Sequence, residues 1–444
     1  MKLHFKNFGA ISDGEIELKN FTLLCGPNSS GKTYVSYAIH SLCSQFNSLA
    51  PAPIALELAQ DFVKNGSITI DIENFRPSIP LMSANAEKAF IRQAPSFFSV
   101  ESDFFSDASI SIDISNDVPT KEVLFETQFF LESNFFVVAK ERKSSSIVIT
   151  ALNKQGIPPA SIMRMEIAKV VSSVLFGYAI QRPFAITSER TGVVLFYKDL
   201  DINRNMLFDK LVSSKKKLDP FELYLEHSSR YAAPIKENID IVRDYQAISK
   251  QKSFFYEDKD QYKRILDLAE ELIGGGFKGS SKELSYEVRS HRGKKKIKIP
   301  LYATSSAVKS LFLLDVFIRH IARPGQILIF DEPELNLHPE NQRKIAELLM
   351  LISNAGVSVF VTTHSDYFVR ELSARLMIGA RDDGAEKYNL EAASVCRPEH
   401  ISAFETTQAG RIKRMEVSVD GIDMTTLNAA IGSANDFFDG ARFS

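Results

Sequence analysis

The N-terminal part of the chain contains short stretches in which apolar and polar residues alternate, the pattern of half-buried β-strands. Residues 2–8 and 14–18 show it, and residues 21–25 form an apolar run typical of a buried strand. Residues 285–289 and 296–300 predict a hairpin around His291-Arg292-Gly293-Lys294. Further strands are predicted at 67–72, 122–127, 135–139, 146–150 and 183–187.

Apolar residues recur at helical spacing in other parts of the chain. This spacing predicts helices over 34–42, 162–179, 260–273 and 303–321. The apolar runs 326–330 and 356–361 predict two more buried strands. The tail predicts a strand at 415–419 and a helix over 423–438, with Phe437 and Phe438 as packing residues. No heptad repeat persists between Thr33 and Thr304, which argues against long coiled-coil arms.

The residues between the strand at 21–25 and the following helix form a complete phosphate-binding loop. They are, in order, Gly26, Pro27, Asn28, Ser29, Ser30, Gly31, Lys32 and Thr33. The glycines let the backbone turn its N–H groups toward phosphate oxygens, and the helix N-terminus adds partial positive charge. Lys32 supplies a cation for the β- and γ-phosphates, and the Thr33 hydroxyl is a ligand for Mg²⁺. We therefore predict ATP and Mg²⁺ as cofactors.

Composition narrows the class of protein. The 444 residues carry 53 basic and 55 acidic side chains, and this balance gives no global electrostatic argument for nucleic-acid binding. Cys25, Cys43 and Cys396 lack metal-site spacing. The N-terminus lacks the apolar core of a signal peptide, and no apolar run approaches the ~20 residues that cross a bilayer. We expect a cytoplasmic protein without a membrane partner.

Two strand ends in the C-terminal half carry groups suited to ATP hydrolysis. The strand 326–330 is followed by Asp331, which can hold the water shell of Mg²⁺ beside Thr33, and by Glu332, which can polarise the attacking water. The strand 356–361 leads to His364, which at the tip of a parallel strand can reach the γ-phosphate. We predict Glu332 and His364 as catalytic residues and Asp331 with Thr33 as metal ligands.

A helix that begins with hydroxyl residues precedes the acidic strand. Ser305 and Ser306 stand at its start, where such residues either cap the helix or present hydroxyl and N–H groups to a phosphate. Lys309 follows within the first turn. We include these three residues among the candidate nucleotide contacts.

The order of these features is phosphate loop, serine-led helix, strand with Asp-Glu, and strand with His. It resembles the heads of ATP-binding-cassette (ABC) ATPases. Asp-Glu-Pro-Glu at 331–334, followed by Leu-Asn-Leu-His-Pro at 335–339, is similar to the AAA-type ATPases grouped with the overcoming-lysogenisation-defect (OLD) nucleases. Ser188-Glu189-Arg190 is similar to a segment of the same family. The resemblance covers residues 1–45 and 285–372 well and the middle only loosely.

The resemblance implies the fold class and its organisation. We expect an α/β, ABC-ATPase-like P-loop head, with a mixed-sheet lobe, a parallel-sheet core with flanking helices, a helical or mixed insertion and no long coiled coil. Residues 1–444 form one composite head in this interpretation. Its parts are an N-terminal lobe with the phosphate loop (1–150), a mixed or helical insertion (151–284), a lobe with the serine-led helix, Asp-Glu and His (285–380), and C-terminal closing elements (381–444).

The resemblance also implies a homo-oligomer, at least a head-to-tail dimer. ATP bound at 26–33 of one subunit meets Ser305 and Ser306 of the other, and Asn336 and His338 line the loop between the two sites. The family's usual glycine in the serine-led segment is Ala307 here. Its methyl group comes close to the position of a phosphate, so we expect slow hydrolysis.

The first functional hypothesis is a regulatory ATPase in anti-phage defence. Members of the OLD-like group often carry a nuclease domain after the ATPase core, and too few residues follow His364 here for that domain and the closing elements of the fold. We therefore expect a separately encoded effector, a nuclease or toxin, as in the stand-alone ATPases of the PARIS, Septu and retron-associated systems. A phage product is the expected trigger.

The alternative hypothesis is a DNA-binding ATPase of repair or recombination, of the short-armed gap-repair type. It predicts a basic groove, for which Arg190, residues 215–217 and residues 294–296 are the candidates. A third, weaker hypothesis places a nuclease site among acids of the middle region such as Glu101, Asp103 and Asp107, although their spacing matches no metal site. Whether DNA is bound stays open at this point.

Overall fold

The computed structural model describes most of the chain. The described residues are 1–114, 125–131, 134–198, 231–280, 283–289, 296–381, 383–424, 436–438 and 441. Residues 215–217, 294 and 295, which entered the DNA-binding hypothesis, lie outside this set.

A six-stranded sheet forms the centre of the molecule. Its strands, in spatial order, are Ile412–Met415 (β16), Ile401–Thr406 (β15), Phe21–Cys25 (β3), Ser358–Thr363 (β14), Gln326–Asp331 (β13) and Arg182–Ile186 (β9). All neighbours run parallel except β15 and β16. Every residue of β3 and β13 is buried, as expected for parallel strands covered on both faces.

Helices cover both faces of this sheet. Side chains alternate between two hydrophobic cores along the strands, so that Leu23 packs into one core and Leu24 into the other. One face carries helix α1 (Lys32–Leu49), which begins directly after the phosphate loop. The other face carries the serine-led helix α9 (Ser306–Val316), α10 (Pro339–Asn354) and α11 (Asp366–Gly379). This layering is that of an α/β fold.

The N-terminal lobe adds two antiparallel sheets. The first has the order β2-β1-β5, and the second β4-β8-β7-β6. Helices α2, α3 and α4 accompany them. The bounds are Lys2–Phe8 (β1), Ile11–Glu17 (β2), Leu56–Asn65 (α2), Ser67–Asp71 (β4), Ile79–Phe98 (α3), Ser109–Asp113 (β5), Phe125–Leu131 (β6), Asn134–Lys140 (β7), Ser146–Ala151 (β8) and Ala160–Phe176 (α4).

The remaining elements surround the serine-led helix and close the C-terminal side. They are the helices Ala233–Arg243 (α5), Tyr245–Ile248 (α6), Phe254–Glu257 (α7), Lys263–Ile273 (α8) and Gly384–Lys387 (α12), the sheet Gly276–Gly279 (β10), Leu284–Arg289 (β11) and Lys296–Pro300 (β12), and the pair Val417–Ser418 (β17) and Gly421–Ile422 (β18). Short 3₁₀ turns lie at Ile72–Ser78, Leu301–Ala303, Ala392–Ser394 and Pro398–His400.

The predicted α/β fold class is confirmed, and so are the hairpin strands, which pair antiparallel as β11 and β12. The helix predicted over 303–321 is a 3₁₀ turn, then α9, and then a π-helical turn at Phe317–Ile321. The longest helix of the described residues is α3, with 20 residues. In the described part of the chain no helix combines the length and apolarity needed to cross a bilayer.

Two predictions for the tail are wrong. The strand predicted at 415–419 is replaced by β16, which ends at Met415, and by the two-residue β17. Phe437 and Phe438 were expected to pack, yet their exposed fractions are 81% and 63%. Most of the helix predicted over 423–438 lies outside the described residues.

Candidate nucleotide-hydrolysis site

The phosphate loop joins the end of β3 to the start of α1 in a conformation that depends on its glycines. Gly26 and Gly31 have φ angles of 141° and 98°, and Ser29 also lies in the left-handed region. A Cβ atom on Gly26 would lie 2.1 Å from Thr406 Oγ1. The same Thr406 hydroxyl, at the end of β15, lies 2.6 Å from Ser30 Oγ. Strand β15 therefore supports the base of the loop.

Lys32 lies folded over the loop to which it belongs. Its ammonium donates hydrogen bonds to the carbonyl oxygens of Gly26, at 3.0 Å, and Pro27, at 2.7 Å. Burial lowers the pKa of Lys32, and the nearby carboxylates of Glu332 and Asp331 act in the opposite direction. Asn28, Ser29 and Thr33 are exposed, whereas the Ser30 hydroxyl is buried and donates to the Pro27 carbonyl.

Asp331 ends β13 and is buried, with an exposed fraction of 2%. Its carboxylate accepts hydrogen bonds from the Thr362 hydroxyl, at 2.8 Å, and from the Ser36 hydroxyl of α1, at 3.1 Å. Burial raises the pKa of Asp331 to about 7, against the effect of these two hydrogen bonds. The carboxylate thus lies between the strand with His364 and the helix with Thr33, where a bound cation would stabilise its charged form.

This raised pKa gives a testable pH dependence. Because the folded pKa of Asp331 lies above its unfolded value, its contribution to stability is complete at low pH and is lost as the pH rises through 7. In EDTA and without nucleotide, we expect wild type to lose about 1 kcal/mol of unfolding free energy between pH 6 and pH 8 through this group. Urea unfolding of Asp331→Asn should lack that component, and Asp61→Asn, at an exposed position, should retain it.

Glu332 and His364 form a hydrogen-bonded pair at the neighbouring strand tips. Glu332 Oε1 lies 2.9 Å from His364 Nε2, and this bond is the main reason why the pKa of Glu332 is lowered. Glu332 has a φ of 48°, a strained conformation for a residue with a side chain. Its N–H donates to the Thr362 carbonyl at 2.9 Å. The carboxylate is charged and held in place, as a base that polarises water requires.

Glu334, to which no role was assigned from the sequence, fixes the backbone at His364. Its Oε1 accepts from the Thr363 hydroxyl at 2.8 Å and from the His364 N–H at 2.7 Å. The sequence does indicate that Glu334 belongs to the site, because it is the fourth residue of the Asp-Glu-Pro-Glu motif. The structure shows that the second glutamate positions the histidine strand.

The serine-led helix presents its N-terminus to solvent. Ser305 and Ser306 are exposed, and the Ser305 hydroxyl caps α9 by accepting from the Val308 N–H. Lys309 is buried and its ammonium donates to the carbonyls of Tyr302 and Thr304. It therefore shapes the turn that leads into the helix.

Asn336 and His338 lie in the segment between β13 and α10. Asn336 has a φ of 64°, and its amide lies 3.5 Å from the Thr191 hydroxyl. His338 caps α10, where its Nδ1 accepts from the Glu340 N–H. Both residues are exposed at the surface of the head.

Arg190 was a candidate for a DNA-binding groove, and this part of the alternative hypothesis is wrong. Its exposed fraction is 1%, and its guanidinium hydrogen-bonds to backbone carbonyls inside the head. No DNA phosphate can reach it there. Lys296, of the second basic cluster, is exposed.

Strands β3, β14 and β13 are neighbours in one parallel sheet, so their carboxyl ends bring together Lys32, His364, Glu332 and Asp331. A phosphate loop, a buried aspartate and a glutamate–histidine pair therefore lie together at this edge, which is an arrangement suited to a P-loop ATPase. The family model described as AAA ATPase domain (AAA_15) matches residues 1–369. The chain belongs to this family, and it is an ATPase.

Three solved structures are similar to the chain over nearly its whole length. An SMC head bound to the C-winged helix domain of ScpA has 14% identity and a TM-score of 0.34, covering 94% of this chain and 98% of that one. An Smc head with an extended coiled coil, bound to the C-terminal domain of ScpA from Pyrococcus furiosus, has 14% identity and a TM-score of 0.31, covering 99% and 98%. The SMC head domain from Thermotoga maritima has 13% identity and a TM-score of 0.30, covering 94% and 98%. No curated protein matches the chain significantly.

Proposed function

We propose that the chain is a regulatory ATPase that assembles head to tail on ATP and controls a separately encoded effector protein in anti-phage defence. The observation that carries the assembly is the start of α9. Tyr302, Ser305 and Ser306 are exposed, whereas the helix is buried from Lys309 to Val316. An exposed, capped helix N-terminus with hydroxyl side chains suits the phosphates of a nucleotide held by a second subunit.

The donor set at the phosphate loop fits a magnesium nucleoside triphosphate. The left-handed glycines open the loop around its N–H groups, Lys32 supplies a cation, and Thr33 and Asp331 would hold Mg²⁺. Mg²⁺ neutralises charge on the phosphates when it is bound. The ammonium of Lys32 uses two of its three N–H donors on the carbonyls of Gly26 and Pro27, which leaves a third donor for a phosphate.

Hydrolysis in this proposal depends on the Glu332–His364 pair. Glu332 accepts the proton of the attacking water, and His364, which is hydrogen-bonded to Glu332, orients the carboxylate and meets the γ-phosphate. Glu334 holds the histidine backbone in register with this carboxylate. Turnover is slow, because Ala307 narrows the approach of the second subunit to the phosphate.

The defence role rests on the sequence resemblance to stand-alone ATPases of defence systems. ATP occupancy would shift the population toward the closed assembly, and a phage product would shift it back and release the effector. Co-expression with the proteins encoded beside the gene tests this role. We expect mass photometry to show an ATP-dependent complex with one of them, and the complex should be longer-lived in Glu332→Gln.

Two outcomes would contradict the regulatory role. One is a chain that never retains a neighbouring protein, with or without ATP. The other is a lone dimer that gains mass only when DNA is added and whose turnover rises with DNA in a salt-dependent manner, which would favour the repair hypothesis.

A further inference from the structure

Arg190 bonds to three elements of the hydrolysis site at once. Its guanidinium donates to the carbonyl of Ser310 in α9 at 3.1 Å and to that of Thr187, just after β9, at 3.2 Å. It also donates to the carbonyls of Asp331, at 2.9 Å, and Glu332, at 2.7 Å. Only a planar fork of several N–H donors reaches acceptors in so many directions.

The hydrogen bond from Arg190 to the Glu332 carbonyl is one of several that hold the strained backbone of Glu332 in place. The N–H of Glu332 is held by Thr362, and its carbonyl is held by Arg190 and by the Leu335 N–H. A left-handed φ at a glutamate persists only where the surroundings fix it from both sides. The direction of the Glu332 carboxylate toward His364 therefore depends on where Arg190 lies.

The same side chain is tied to the helix that meets the second subunit. The Ser310 carbonyl belongs to α9, whose exposed start carries Ser305 and Ser306. A shift of α9 along its axis would move the Ser310 carbonyl and, through the guanidinium, the Glu332 peptide. The guanidinium also lies 5.1 Å from the centre of the Phe330 ring, a cation–π contact that adds to these hydrogen bonds.

A neighbouring residue ties this segment to the phosphate-loop helix. The Tyr37 hydroxyl of α1 donates to the Glu189 carboxylate at 3.0 Å. The segment Ser188-Glu189-Arg190 thus contacts α1, α9 and the end of β13. These three elements adjoin the phosphate loop, the exposed serines and the catalytic glutamate.

We propose that Arg190 is a positioning residue that couples engagement of α9 to the orientation of Glu332. Arrival of a partner's nucleotide at Ser305 and Ser306 sets the position of α9, and Arg190 transmits that position to the catalytic carboxylate of the same subunit. The coupling rests on the proposed head-to-tail assembly. It makes hydrolysis at one site respond to occupancy of the other.

The test compares Arg190→Lys and Arg190→Gln with wild type. Lysine keeps the charge but not the fork, so we expect turnover to fall about 10-fold, and glutamine should lower it about 100-fold. The dissociation constant for a fluorescent ATP analogue should stay within about threefold, because the hydrogen bonds of Arg190 go to no residue of the phosphate loop. Arg182→Lys, at an exposed position of β9, is the matched control and should behave as wild type.

Assembly is measured in the same samples by mass photometry. We expect both variants to assemble on ATP while turnover no longer rises with protein concentration. Turnover like that of wild type in the variants would overturn the coupling, as would an equal loss of ATP affinity and turnover. Unfolding of both variants would also overturn it and leave Arg190 with a role in stability alone. A wild-type protein that never assembles on ATP would instead contradict the proposed function.

Discussion

Glu332→Gln is expected to lower ATP turnover by about 10²- to 10³-fold, within the range for loss of a general base. Glutamine keeps the size of the side chain and an oxygen for the bond to His364, which is now 2.9 Å long. It lacks the negative charge that the histidine bond stabilises, so it cannot take a proton from water. ATP affinity should stay within about threefold of wild type, because the loss affects the transition state.

Phosphate release under saturating ATP and equilibrium binding of a fluorescent ATP analogue measure the two quantities separately. Glu340→Gln is the matched control, since Glu340 is an exposed glutamate in the first turn of α10. It should change neither quantity. If Glu332→Gln hydrolysed ATP within threefold of the wild-type rate, another residue would have to activate the water.

Lys32→Ala is expected to weaken ATP binding by about 100-fold or more, because a charge-assisted contact to the phosphates is lost in a buried site. The free protein should remain folded, since the bonds that Lys32 makes go to two carbonyls of its own loop. Burial lowers the pKa of this lysine, and the phosphates would raise it again. The loss of Lys32 should therefore change the dissociation constant for ATP more than it changes the turnover at saturating ATP.

Titration of the fluorescent analogue with Mg²⁺ present measures this loss, and circular dichroism confirms the fold. Lys64→Ala, at a lysine near the end of α2 and far along the chain from the loop, is the control and should bind as wild type. Unchanged affinity in Lys32→Ala would mean that the loop at 26–33 does not hold the phosphates.

The central strands could be predicted because they are buried on both faces. Strands β3, β13 and β14 are apolar runs bounded by turns or by charged residues, and such short runs are typical of strands inside a parallel sheet. Strand β15, Ile-Ser-Ala-Phe-Glu-Thr, was not predicted, because polar residues interrupt the run. Its place beside β3 is set by tertiary pairing, which a local pattern does not contain.

In the candidate site, too, some residues could be predicted from a local sequence pattern and others depend on tertiary packing. Its phosphate loop, acids and histidine follow from motifs whose spacing is local. The role of Arg190 does not, because its acceptors are carbonyls of Thr187, Ser310, Asp331 and Glu332, most of them far away in the chain. A lone arginine among polar residues suggests a surface position, and only the packed structure shows that it is enclosed. The supporting hydroxyls of Ser36 and Thr362 were missed for the same reason.

In the proposed assembly, ATP is hydrolysed between the phosphate loop of one subunit and the serine-led helix of another. Mixing two inactive variants, Lys32→Ala and Ser306→Arg, tests it most directly. In a mixed dimer one site has both defects and the other has none, so a 1:1 mixture should recover turnover that the separate variants lack, up to about a quarter of the wild-type value for independent sites and less where the intact site depends on its neighbour. Activity no higher than that of the separate variants, in a mixture shown to contain mixed dimers, would contradict a shared site.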